Sequence, residues 1–313
     1  MSGVSFVVIC YNHARYAGPV TRALTAQRGI DDAEYIFIDD GSTDGTAEAL
    51  AAATQGWPDT TIHRQENQGP SKALNQGLAR ATRPLIKLVG GDDVLHPDAA
   101  ARLRAAMDRH AAVYGFGALH GFDPARGDDD AYWRSLFDPI DDAGETAIDD
   151  PLAFMARGMS FNPSCVLART AEAKAAGGSD ERVFVEDYSL SLRMALRGRF
   201  VQLHAPVAFA PEGDALRLGA HGAQTLHDVN LALAGLMADH PGLPGRYRRL
   251  MARRALTRAW HWARRHGRRT ALSRDFLLFA LAQLRLLPAR PGHVFDSCRA
   301  FTATDTIRRP GGE

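Results

Sequence analysis

The stretch Pro84-Leu-Ile-Lys-Leu-Val-Gly-Gly-Asp-Asp93 decides how the rest of this chain is read. Its apolar run has the length of a buried strand and ends on two glycines and two adjacent carboxylates. A strand of this kind emerges at the C-terminal edge of a parallel sheet, where open α/β folds bind their ligands. Glycine lets another group approach the backbone closely, and carboxylate oxygens suit hard cations such as Mg2+ or Mn2+. Gly-Asp pairs also close strands without any ligand, so by itself the motif reads equally well as a solvated turn.

Working outward, the first hundred residues alternate short apolar runs with amphipathic stretches, the pattern of βαβ units on a mainly parallel sheet. Strands are expected at Val4 to Cys10, Tyr35 to Ile38, Thr61 to Arg64 and Leu85 to Val89. Helices are expected at Ala17 to Gln27, Thr46 to Ala53 and Pro70 to Ala81, the last with proline in its first turn. Beyond them a helix is expected from Asp98 to His110 and a strand from Val113 to Leu119. Order resumes at Pro151 to Gly158, Ser164 to Ala168, a helix through Asp187 to Arg197 and a strand at Phe200 to Leu203. From Thr225 the chain reads as helical, and the tail from Pro288 as loosely ordered.

The 313 residues are 45% hydrophobic, enough for a proper core, and carry a formal net charge of +1. No global charge argues for nucleic acid, but the distribution is uneven. Eleven arginines and no acid lie between Arg246 and Arg274, while Asp123 to Asp150 holds ten acids against two arginines. The acidic stretch reads as a solvated surface loop or insertion. Three widely spaced cysteines, Cys10, Cys165 and Cys298, form no metal-ligand pattern and point to a reducing compartment. The N-terminus does not read as a signal peptide, and no run reaches the roughly 20 apolar residues of a membrane span. The expectation is a cytoplasmic protein.

Two further clusters sit where a strand gives way to a helix. Asp39-Asp-Gly-Ser-Thr-Asp-Gly-Thr46 places carboxylates where they meet a base or ribose, beside helix amides that favour anions. Helix capping and turn formation account for the same residues without a ligand. Glu66-Asn-Gln-Gly-Pro-Ser-Lys-Ala-Leu-Asn75 adds Lys72, a flexible point charge suited to phosphate, or else a solvated lysine on a capped helix. Farther on, Glu186-Asp187 opens an amphipathic helix, where acids favour the helix dipole and where one facing a cleft is able to take a proton. Arg217 and His221 lie in a Gly-rich stretch.

In this order the clusters resemble those of the GT-A fold glycosyltransferases of family 2, over about residues 4 to 221. The resemblance implies an α/β GT-A domain, Rossmann-like, its mainly parallel sheet flanked by helices, with a helical C-terminal extension. Its nucleotide-sugar half would span 1–115, its acceptor-binding half 116–222, and the basic helical region 223–313. It implies that Tyr11, Asn12, Asp39, Asp40, Lys72, Asn75 and Asp92 serve the donor, with Asp40 at the base. It assigns Asp93 and His221 to a Mn2+ or Mg2+ ion, and Asp187, beside Glu186, as catalytic base. Gly177-Gly-Ser-Asp-Glu181, Arg193 and Gly198 fall in the family's order.

There are departures. Gly90 stands where many members have a first acid, Leu74 stands where a basic residue commonly precedes the asparagine, and Arg217-Leu-Gly-Ala-His221 is a loosened Arg-x-His segment. The implied activity is inverting transfer of a sugar from a nucleoside diphosphate, preferably UDP, to a hydroxyl of a glycan or lipid-linked glycan in bacterial-type surface polysaccharide or glycoconjugate synthesis. A non-catalytic nucleotide-sugar or glycan-binding protein competes with it, as does a sugar-nucleotide pyrophosphorylase. Within 246–287, Tyr247, Met251, Ala255, Ala259 and Trp262 form an apolar helical face bordered by arginine. It reads as a face packed on the catalytic domain or as a peripheral membrane contact at the inner face of the membrane.

Overall fold

The computed structural model describes residues 3–126, 129–137, 144–158, 161–213, 222–267, 273–303 and 305–310. Nine strands are β1 (Val4–Cys10), β2 (Ala33–Asp39), β3 (Thr60–Arg64), β4 (Leu85–Gly90), β5 (Val94–Leu95), β6 (Tyr114–Phe122), β7 (Glu145–Ile148), β8 (Val166–Arg169) and β9 (Phe200–Pro211). The helices of the sheet region are α1 (Ala17–Thr25), α2 (Thr46–Ala53), α3 (Pro70–Arg80), α4 (Ala99–Arg109), α5 (Asp130–Leu136), α6 (Pro151–Ala156), α7 (Thr170–Ala175) and α8 (Glu186–Met194). Five more follow: α9 (Gly222–Asp239), α10 (Gly245–Arg265), α11 (Arg274–Gln283), α12 (Pro291–Ser297) and α13 (Arg299–Thr302).

All nine strands join one sheet in the order β3-β2-β1-β4-β8-β6-β9-β5, with β7 paired to β9. The first four are parallel, and β8 enters antiparallel to β4 and opens a mixed half. Strand β1 is apolar almost throughout because both faces are covered, as parallel interior strands require. Its alternate side chains serve two cores. Val7 joins Ile36, Ile38, Leu74 and Leu88 on one face, and Phe6 and Val8 join Phe37, Leu24 and Leu103 on the other.

Three expectations change. Strand β9 runs on past Leu203 to Pro211, although Pro206 lies within it. Proline is tolerated there because it pairs with Ala118 at a register shift, where the ladder needs no amide from it. The acidic segment is more than loop. Asp129 caps α5 by accepting from Tyr132 N at 2.9 Å, Trp133 packs inward, and β7 pairs antiparallel with β9.

The described part of the tail is also ordered. Pro291 begins α12, a position where its missing N–H costs nothing. Val294 and Phe301 are fully buried, and a side chain of that size contributes about 1.5–3 kcal/mol on burial. Residues 305–310 then run back toward the sheet. Gln224 holds Arg308 by both its backbone N–H (2.8 Å) and its carbonyl (3.2 Å), and the Arg308 guanidinium lies 5.3 Å over the Phe184 ring. Pro310 comes to rest beside Gly69.

The apolar face of α10 is spent on packing. Met251, Ala255, Leu256, Ala259, Trp260 and Ala263 are buried against neighbouring elements. No described helix is long and apolar enough to cross a membrane.

Candidate active site

Parallel register brings three strand ends to one edge. Cys10 lies opposite Asp39 and Ile9 opposite Gly90, so residues 11–14, 40–46 and 91–93 leave the sheet side by side. The first two loops are stitched together. Asn12 N donates to Ser42 Oγ (2.9 Å), Thr43 N donates to Asn12 Oδ1 (2.9 Å), and His13 N donates to Thr46 Oγ1 (2.8 Å). Asn12 sits at φ 57, a left-handed conformation that asparagine tolerates better than most residues. Tyr11 beside it is 48% exposed, an available flat surface at the rim.

The two acids that end β2 are buried and already engaged. Asp39 accepts from Ser42 N (3.0 Å) and faces Arg64 Nε at 3.5 Å. Asp40 accepts from Gln65 Nε2 (2.8 Å), Gln68 N (2.9 Å) and Gly69 N (2.9 Å), which ties the 65–69 loop to the sheet edge. A carboxylate has about four lone-pair sites, so three bonds leave room for one more. Gly41 makes this arrangement possible: its φ is +78°, and a Cβ there would stand 2.7 Å from Asn67 N.

On α3, Lys72 is half-buried and has no ion-pair partner among the described residues. Asn75, three residues on, is a tie rather than an open group. It donates to Ser179 O and Glu181 Oε1, both at 2.9 Å, and accepts from Ser179 N at 2.8 Å. Asp180, in the same loop, is clamped by Arg182 at 2.6–2.7 Å with Arg193 behind it. The loop that precedes α8 is thereby fixed to α3.

The Asp92-Asp93 pair folds back over Gly90. A Cβ built at Gly90 would stand 2.7 Å from Asp93 Oδ2 and 3.0 Å from Asp92 Oδ1, so the two carboxylates converge on space that a side chain would fill. The missing first acid is thus replaced sterically by the second and third. Asp93 is almost fully buried and accepts from Ser164 Oγ at 2.6 Å, while that hydroxyl accepts from Gly90 N at 2.8 Å.

Lys87 and Ser164 are the residues that sequence reading passed over. Lys87, wholly buried in β4, donates to Ser164 O and holds the turn that carries the hydroxyl to Asp93. Burial pushes its ammonium down to about 8 against the opposing pull of Cys165 and Asp93. The available signal was a lysine inside an otherwise apolar strand.

From the other side comes α8, with Glu186 and Asp187 in its first turn. Burial, then the charge of Asp187, then that of Asp93 push the Glu186 carboxyl well above the usual carboxylate range. Asp187 therefore stands beside a group that favours its protonated form, and Glu186 lies within electrostatic reach of Asp93. Below them, Ser191 donates to Asp187 O (2.7 Å) and pairs with the buried Tyr114 hydroxyl (2.6 Å). His221 and Arg217 lie outside the described residues.

For a divalent cation, the donor set is hard oxygen from Asp93 and Asp92. Among the described residues no three His, Cys, Asp or Glu groups form a cage. Two convergent carboxylates fit an ion that completes its shell with water and phosphate, the usual habit of Mg2+, rather than a resident structural metal.

A sequence profile for glycosyl transferase family 2 matches residues 5–159, a span that includes all three strand ends of this edge. The chain belongs to glycosyl transferase family 2. An uncharacterized glycosyltransferase of Nostoc sp. is 31% identical to it over 127 residues, 40% of this chain and 38% of that one. Poly-beta-1,6-N-acetyl-D-glucosamine synthase of Staphylococcus aureus is 29% identical over 99 residues, 32% of this chain and 24% of that one. The match thus spans between about a quarter and two fifths of these relatives.

Among solved structures, S. aureus TarS residues 1–349 with UDP-GlcNAc superposes with a TM-score of 0.66 at 18% identity, covering 95% of this glycosyltransferase and 87% of TarS. Mannosyltransferase PcManGT of Pyrobaculum calidifontis, solved with GDP-Man and Mn2+, gives 0.59 at 18% identity over 96% and 86%. These likenesses establish the GT-A fold of the family 2 chain.

Proposed function

We propose that this glycosyltransferase moves a sugar from a nucleoside diphosphate, UDP by preference, to a hydroxyl of a glycan or lipid-linked glycan, with inversion at the anomeric carbon. The observation that carries the reading is a proton-favouring Glu186 that feels the charge of both its neighbour Asp187 and Asp93, one of the two carboxylates converging over Gly90. The UDP-GlcNAc bound to TarS supports a UDP-sugar.

In this reading Tyr11 and Asn12 border the nucleoside, and Asp40 offers its remaining lone pair to the base. Lys72 faces the diphosphate, and Asp92 faces the ribose. Asp93 would hold Mn2+ or Mg2+, which when bound neutralises charge on the departing diphosphate. Asp187 takes the proton of the acceptor hydroxyl as its oxygen forms the new bond to the anomeric carbon. The bond from that carbon to the diphosphate oxygen breaks, and the nucleoside diphosphate leaves with the electron pair. Glu186, holding its proton, keeps a second negative charge away from the incoming oxygen. Transfer to a lipid-linked glycan would place the enzyme at the inner face of the membrane, with the product entering surface polysaccharide or glycoconjugate synthesis.

The test is nucleoside diphosphate release from a panel of UDP-, GDP- and TDP-sugars with Mn2+, with and without chelator. One UDP-sugar should support release that chelation abolishes. Release from none of them, together with binding of several, would replace transfer by a binding function.

A further inference from the structure

The arginines of α10 are not spent with its apolar face. Arg246, Arg249 and Arg253 follow one another at helical spacing along one side of α10, and Arg285 approaches from beyond the end of α11. With Ala282 and Leu287 as part of an apolar wall, they line a cavity of about 220 Å3. A second cavity of about 350 Å3 shares Arg249, Arg285 and Leu287 and adds Arg248. Among the described residues no acid lines either one. Among the described residues, Arg249, Arg253 and Arg285 have no acidic partner, and Arg246 has only Asp150 at 4.0 Å.

Guanidinium groups do not lose their charge in proteins, so mutual repulsion in this cavity is relieved by an anion and not by titration. Their planar fork matches phosphate oxygens two at a time. The first turn of α10, where acids ordinarily sit, contains none and adds to the positive potential. Beside the cavity, Leu284 and Leu286 are each 67% exposed. A small free oxyanion has no use for such a rim. An amphiphile does.

We propose that this cavity binds the phosphate of an anionic phospholipid at a bilayer surface, with Leu284 and Leu286 entering the boundary between headgroups and acyl chains. The choice of a lipid rests on the membrane-face acceptor given above, while the cationic cavity stands without it. The site is remote in sequence from every residue assigned to catalysis. Membrane attachment through the packed face of α10 is not required.

Flotation of the full-length protein on neutral phosphatidylcholine vesicles, and on vesicles containing phosphatidylglycerol, tests the proposal. Binding should require the anionic lipid and should fall about thirtyfold in the Arg249→Ala/Arg285→Ala double variant, on the scale of surface basic residues. Leu284→Ser/Leu286→Ser should weaken vesicle binding severalfold. The same variant should leave thermal protection by inorganic pyrophosphate unchanged. These residues are exposed, and circular dichroism of each variant checks its fold.

Equal binding to both vesicle types overturns the proposal. So does arginine-dependent protection by pyrophosphate with no vesicle binding, which would make the site one for a soluble phosphate compound. Sugar-nucleotide cleavage measured without vesicles separates these outcomes from failure of the transfer reading. It should be unchanged in both double variants.

Discussion

The acids at the sheet edge and the arginines of the C-terminal helices differ in what surrounds them. Asp39, Asp40 and Asp180 are buried and held by amides or guanidiniums within the chain. Arg249, Arg253 and Arg285 border open cavities with no facing acid among the described residues. Charge that the chain satisfies itself builds geometry, and charge that it leaves facing a cavity is available to a ligand. Around the site, two groups are informative: Lys72, which has no ion-pair partner among the described residues, and Glu186, which burial and the charge of Asp187 hold toward its protonated form.

The comparison breaks most visibly at Asp187. Asp187→Asn should lower turnover about 10²- to 10⁴-fold, the usual contribution of a positioned base, with donor affinity retained in a titration of the same preparation. Near wild-type turnover would remove Asp187 from the reaction and leave the carboxylate pair as structure.

Gly41 sharpens the role of the internally satisfied acids. Gly41→Ala meets Asn67 N at 2.7 Å in a left-handed conformation, whereas a Cβ added at Gly45, at φ +87°, would have nothing within 4 Å. Urea unfolding should show a loss of about 2–4 kcal/mol for Gly41→Ala and about 1 kcal/mol for Gly45→Ala. Similar losses would mean that the approach of the 65–69 loop matters less than backbone strain.

The smallest effect is a pH dependence. A raised Glu186 pKa means that the folded protein keeps a proton which the unfolded chain releases above about 4.5. Stability therefore falls as pH rises from there through the raised value. Glu186→Gln removes that fall, so its gain in melting temperature over the parent should be larger at about pH 8 than at about pH 5. An equal gain at both would show that the glutamate is not held protonated.

Much of the parallel half was legible because local rules and the global fold agree there. Val4–Cys10 and Thr46–Ala53 fall where apolar runs and cap signals put them. The second half was less legible because proline spoke against β9 and acidic composition against α5 and β7, and tertiary pairing overrode both. At the site, the sequence indicated which residues gather but not how they are used. Asn75 carries the features of a ligand group, yet its bonding to Ser179 and Glu181 depends on a loop a hundred residues away. Lys87 was hidden inside an apolar strand, and its partner Ser164 arrives just ahead of a strand that pairs with β4 only in the folded sheet.

The core itself has a consequence for how the molecule comes apart. Val7, Ile38 and Leu88 of the sheet belong to one apolar cluster with Leu233, Met251 and Val294 of the C-terminal helices. A cut between sheet and helices would expose both sides of that cluster to water. Heating should accordingly give a single cooperative transition shared by both regions, and a version trimmed to the sheet would be expected to aggregate rather than report on the enzyme.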